Sequence, residues 1–121
     1  MEAHDREVKY YQTINNRKPF KEWRDGISDL DTKAAVDARI ARLRGGNFSD
    51  SDTIGGGASE NRIDHGPGLR IYYGVVGTEL VILLCGGDKS TQNADIQRAK
   101  AYWKDYKKRV KLSVEQAKKK K

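Results

Sequence analysis

Apolar residues recur along this chain with two different periods. Residues 8–13 are rich in β-type side chains and predict a first strand at a sheet edge. Asn15-Asn16-Arg17-Lys18 is a turn, and Pro19 suits the first turn of a helix. Phe20, Trp23, Ile27 and Leu30 then fall at helical spacing, despite Gly26 between them. Asp31 or Thr32 can cap a second helix, in which Val36, Ile40 and Leu43 recur at i, i+4 and i+7. Gly45-Gly46-Asn47 stops it.

Residues 47–57 are polar and glycine-rich and predict a loop. Three short strands follow at residues 59–65, 69–76 and 79–85, with Gly66-Pro67-Gly68 and Gly77-Thr78 as turns, an antiparallel meander. The last helix is expected over residues 94–110, where Ile96, Ala99, Trp103, Tyr106 and Val110 form one apolar stripe. The order is therefore β-α-α-β-β-β-α. The fold class is α+β: a small antiparallel curved sheet with two N-terminal helices and a C-terminal helix, the helices covering one face. Residues 1–110 make one domain and residues 111–121 a basic tail.

Alternation along the strands places side chains on faces. Leu69, Ile71, Tyr73 and Val75 share the core face, so Arg70 and Tyr72 point to the other. Ile63 marks the core side of the preceding strand, with Glu60, Arg62 and Asp64 opposite. Pairing through the Gly-Pro-Gly turn brings Arg62 and Arg70 together on one open face. Adjacent guanidinium groups repel unless an anion joins them, and a phosphate satisfies both bidentately. A surface ladder in which Glu60 and Asp64 pair with the arginines satisfies them as well.

Charge sharpens the picture at one end only. The net charge of +7 belongs wholly to residues 104–121; the rest of the chain is neutral. Lys104, Lys107, Lys108, Arg109 and Lys111 are thereby candidates for RNA binding by phosphate neutralisation, with Lys118 to Lys121 either joining them or forming a frayed tail. No run reaches the roughly 20 apolar residues of a membrane helix, and residues 1–9 do not resemble a secretory signal. The lone Cys85, within an apolar run, reads as a buried inert thiol, and a reducing cytoplasm is expected.

Two histidines, His4 and His65, and one cysteine without paired spacing make a poor metal site. Gly86-Gly87-Asp88-Lys89-Ser90-Thr91 ends like a P-loop but lacks the upstream glycine, and Asp88 stands before the lysine. Tyr102, Trp103 and Tyr106 could stack bases, yet Trp103 and Tyr106 fit the core stripe better.

Pro19-Phe20 with Trp23, the run Arg39-Ile40-Ala41-Arg42-Leu43 before Gly46-Asn47-Phe48, and Glu60-Asn61-Arg62-Ile63-Asp64 before Gly66-Pro67-Gly68 and Arg70-Ile71-Tyr72-Tyr73 form an ordered set. Leu83-Leu84-Cys85-Gly86-Gly87-Asp88-Lys89-Ser90-Thr91-Gln92, with Asp95-Ile96 and Ala99, completes it. Together these resemble the RelE/ParE superfamily of bacterial toxins, in its addiction-module killer, HigB-like branch. The chain departs from that pattern at Asn61, where an apolar residue is usual, and at Leu69, where a tyrosine is usual.

The resemblance implies a toxin blocked by a cognate antitoxin of helix-turn-helix type. It implies a metal-independent mRNA interferase without cofactor, in which the RNA's own 2′-OH attacks the adjacent phosphate, often on the ribosome. By motif, Arg62, Arg70, Lys89 and Gln92 are the expected site, with Tyr72 or Tyr73 near it. His65, Asp88 and Asp95 are alternative proton carriers, although Asp95 also suits helix capping and His65 a strand-end turn. A non-catalytic DNA gyrase inhibitor of the ParE type, or an inactive relative that binds antitoxin or RNA, is the alternative.

Overall fold

The computed structural model describes residues 5–119 of the chain. His4 and Lys120 and Lys121 of the basic tail lie outside these. The elements are β1 (Glu7–Tyr10), α1 (Pro19–Asp25), α2 (Leu30–Arg44), β2 (Ser51–Gly55), β3 (Ala58–Ile63), β4 (Leu69–Val76), β5 (Leu80–Asp88), a 3-10 turn (Lys89–Thr91) and α3 (Gln92–Lys119). Five strands form one sheet in the order β1-β5-β4-β3-β2.

This corrects the expected fold in three ways. First, four strands follow the helices, not three, so the order is β-α-α-β-β-β-β-α. The additional strand, β2, lies in the segment read as a loop and pairs antiparallel with β3. It is an edge strand whose residues are mostly exposed, so it carries no apolar alternation. The glycines at its end and beyond mark a tight hairpin: Gly55, Gly56 and Gly57 all have positive φ. Second, the sheet is mixed, because β1 runs parallel to β5. Third, helices cover both faces.

One core lies beneath α1 and α2, built from Phe20, Val36, Leu43, Ile63, Leu69, Ile71, Tyr73, Val81 and Leu83. A second lies beneath α3, from Tyr11, Ala58, Tyr72, Ile82, Leu84, Cys85, Ala99 and Trp103. The central strand β5 is consequently buried on both sides, which explains its continuous apolar run. A bulge between Tyr72 and Tyr73 sets Leu84 and Cys85 on the same side. Each tryptophan lies on a strand glycine. A Cβ at Gly86 would run into the indole of Trp23, and one at Gly74 into that of Trp103.

Helix boundaries also shift. α1 ends at Asp25, and Asp29 caps α2, its carboxylate accepting from the Thr32 N–H at 2.9 Å. Leu30 thus opens α2 and is 79% exposed instead of closing α1. α3 continues through residues 111–119, so this much of the basic tail is helical. Among the described residues no helix is long and apolar enough to cross a membrane.

Candidate functional site

The Gly66-Pro67-Gly68 turn sets the register of β3 and β4, and that register puts Arg62 directly opposite Arg70 and Glu60 opposite Tyr72. All four share the face covered by α3, near the helix's N-terminal end. Tyr72 is fully buried and Glu60 is 5% exposed. The Arg70 guanidinium, with 11% of the side chain exposed, has its Nε 3.6 Å from the Glu60 carboxylate and donates from a terminal nitrogen to the Gly68 carbonyl at 2.9 Å. Gln92, in the first turn of α3, donates to Glu60 at 3.0 Å. Lys89 is exposed, and its Cβ and the Arg70 guanidinium both border Gly68.

Two polar groups in this cluster are buried without a hydrogen-bond partner: Arg70 Nε and the Tyr72 hydroxyl. Burial first, and the Glu60 carboxylate second, raise the Tyr72 hydroxyl well above its ordinary range, so it stays a neutral donor. Both groups adjoin the Glu60 carboxylate, 3.6 Å from Arg70 Nε, so the cluster is polar and buried but poorly hydrogen-bonded. Arg62 is more exposed and pairs with Asp52 of β2, whose hydrogen bond raises the guanidinium further. The arginines are thus each met by a carboxylate, Glu60 as weighed from the sequence, but Asp52 in place of Asp64.

The other expected residues divide. Tyr73 faces the opposite core, donating to Ser51 Oγ at 2.7 Å and stacking on Phe48. His65 lies on the α2 side, its Nε2 3.0 Å from Thr32 Oγ1. Asp88 caps the 3-10 turn; hydrogen bonds from Ser90, side chain then backbone, hold its carboxyl below the usual range. Asp95 is fully buried, accepting from Thr91 Oγ1 at 2.5 Å and paired with Arg98, above Gly87. Tyr73, His65 and Asp95 therefore have structural partners apart from the arginine pair, whereas Asp88, though it caps the turn, also feels the Arg70 charge.

Along α3, Arg109 is committed to Asp105, to the Gln12 carbonyl and to the face of Tyr11. Lys107 donates to the Gly56 carbonyl at 3.0 Å and lies over Trp103. Lys104, Lys108 and Lys111 are exposed. Trp103 is buried, with Tyr106 stacked on it at 5.3 Å. Burial pushes the Cys85 thiol up to about 12, the state of an inert cysteine.

Arg39 was not singled out by the sequence. From α2 it crosses to the sheet and donates to the Asn61 side-chain oxygen at 2.7 Å and to the Arg62 carbonyl. Asn61, fully buried, also donates to the Ser49 carbonyl and Ser51 Oγ. An amide on the core side was the available signal: it had to find partners, and Arg39 is one. Arg39, Arg62 and Arg70 line one cleft of about 300 Å³ with Asp50, Asp64 and the Gly68 turn.

No family model matches the chain, and no solved structure does. An uncharacterized protein of Haemophilus influenzae is 49% identical over 87 residues, covering 72% of this chain and 88% of that protein. The chain belongs to the same family as this Haemophilus influenzae protein.

Proposed function

We propose that the chain is the toxin of a toxin–antitoxin pair, a metal-independent endoribonuclease that cuts mRNA in the cytoplasm, on the ribosome or free of it. The observation that carries this reading is the direct pairing of Arg62 with Arg70 beside the buried Glu60 carboxylate. In-line attack by a 2′-OH builds negative charge on the equatorial phosphate oxygens, and two permanently charged guanidinium groups side by side suit that charge. Glu60, Tyr72 and Asp88 are titratable groups that feel the Arg70 charge, and Lys89 follows Asp88 at the same end of the sheet. In this reading the 2′-OH proton passes to the Glu60 carboxylate, the new P–O bond forms, and the 5′-oxygen leaves with a proton from the Lys89 ammonium. The products are a 2′,3′-cyclic phosphate and a 5′-OH. Gln92 holds Glu60 in place. The exposed lysines of α3 would engage more distant phosphates, and an antitoxin would cover the site or that helix.

Primer extension with end-group analysis on a defined mRNA, with and without ribosomes, tests the reading. Discrete cuts with cyclic or 3′-phosphate ends are expected, lost by at least a hundredfold in a folded Arg70→Ala chain, in keeping with roughly 10²–10³ for one oxyanion donor. Undiminished cutting by that variant rejects the assignment.

A second reading is favoured by the carboxylates already on both arginines. Under it the ladder is structural and the chain is a non-catalytic inhibitor or binding module, of gyrase, antitoxin or RNA. Gyrase-linked DNA breaks without RNA loss would establish the inhibitor.

A further inference from the structure

The cleft beside the arginine pair holds a further set of cations. Arg39 lines it, and Arg42, the next residue but two along α2, reaches the same carboxylate: Asp50 lies 3.6 Å from Arg39 and 4.0 Å from Arg42. Asp50 has a left-handed backbone, φ 69°, a conformation that few non-glycine residues adopt. Its carbonyl accepts the Arg62 N–H at 2.9 Å, which ties the Asp50 backbone to the strand that lines the cleft. Arg39 is preorganised too, pinned by Asn61 and the Arg62 carbonyl with 11% of its side chain exposed. Burial and then Arg42 lower its guanidinium below the usual arginine range, opposed by Asp50, as for a cation with too little counter-charge. The cleft's remaining carboxylate, Asp64, is exposed.

Four arginines therefore run from α2 across β3 to β4, Arg42, Arg39, Arg62 and Arg70, with Asp50 in the position an incoming anion would take. We propose that Arg39, Arg42 and Asp50 form a second phosphate subsite, which takes a non-scissile phosphate of a single-stranded polynucleotide and from which that phosphate displaces the Asp50 carboxylate. The proposal rests on the nuclease reading above, since the two subsites then hold neighbouring phosphates of one strand. A row of cations suits a polyanion better than a single ion, because each phosphate neutralised releases counterions and adds to affinity.

Binding of a labelled oligothymidylate, which has no 2′-OH and cannot be cut, is measured by fluorescence anisotropy over a series of salt concentrations. Arg42→Ala removes one cation at a half-buried position that makes a single 4.0 Å ion pair. It should lower the salt slope by about 0.7 and weaken binding by about threefold across a fourfold salt range. Asp50→Asn keeps a residue tolerant of the left-handed backbone and removes the competing charge; it should tighten binding by about threefold, the opposite direction. Thermal melts establish that both variants fold. Inorganic phosphate at matched phosphate concentration should compete poorly; equal competition would overturn the polynucleotide assignment. Folded variants that bind like the parent, or both weaker, would overturn the subsite. RNA cutting separates the two ideas: cutting by the parent with unchanged binding in both variants removes the subsite alone. No cutting, with Asp50→Asn tighter and Arg42→Ala weaker, removes the nuclease reading and leaves the subsite standing.

Discussion

Along β3 and β4 the two faces of the sheet bury polar groups in different ways, although Arg6 Nε, over Phe48 on the α2 side, is also buried without a hydrogen bond. Beneath α2, Asn61 spends its amide on Arg39, Ser49 and Ser51, and the Tyr73 hydroxyl donates to Ser51. Beneath α3, one residue away on the same strand, the Tyr72 hydroxyl and the Arg70 Nε share a single carboxylate, Glu60, and neither makes a well-formed hydrogen bond to it. A satisfied network fixes a fold, whereas an unsatisfied one costs stability and is retained where something else uses it. The α2 face is the framework, and the α3 face near the Gly66-Pro67-Gly68 turn is where chemistry has room.

The largest way to break the comparison is through the framework. Phe20, on α1, is fully buried. Phe20→Ala should destabilise the chain by about 3–5 kcal/mol in urea unfolding. Next come the two glycines under tryptophans. Gly86→Ala meets Trp23 on one face and Gly74→Ala meets Trp103 on the other. Each should cost about 1–3 kcal/mol through overpacking, read as a lower melting temperature. A smaller effect sharpens the contrast most. Tyr73→Phe should lose about 1 kcal/mol with its bond to Ser51, while Tyr72→Phe should cost less, because the buried hydroxyl makes no well-formed hydrogen bond. If both lose equally, the α3 face is as well satisfied as the other.

The smallest effect is electrostatic. The Tyr11 hydroxyl, then Arg109, hold the Asp105 carboxyl below its usual range. A lowered carboxyl stabilises the fold above its unfolded pKa of about 4, and that contribution is lost as pH falls through the lower folded value. Because Asp105 is 41% exposed, solvent screening keeps the term below about 1 kcal/mol. Asp105→Asn should flatten the acid limb of urea midpoint against pH and leave the slope near neutrality unchanged.

Much of this was legible in the residues. The Gly66-Pro67-Gly68 turn and strand alternation sufficed to oppose Arg62 to Arg70, because register in a tight hairpin is local. β2 was not legible, since an exposed edge strand such as Ser51–Gly55 has no burial to imprint on its sequence. The parallel pairing of β1 and the placement of α3 on the far face were hidden for another reason. Neither follows from periodicity, which shows that an element is amphipathic but not which surface it meets. Arg39 was missed likewise: its role depends on α2 lying against β3, a tertiary fact that only the demand of Asn61 for partners hinted at.

The parallel pairing has a consequence for how the chain assembles. Glu7 pairs with Leu80, so β1 is made early and finds its strand neighbour only after almost the whole sheet has been synthesised. Closing so long a loop is slow, and until it closes β5 presents a bare edge whose residues are nearly all apolar. During that interval the nascent chain offers a strand-shaped vacancy next to its most hydrophobic segment. Any extended peptide that fills it first would hold the protein one strand short of its finished sheet, without touching the arginines at all.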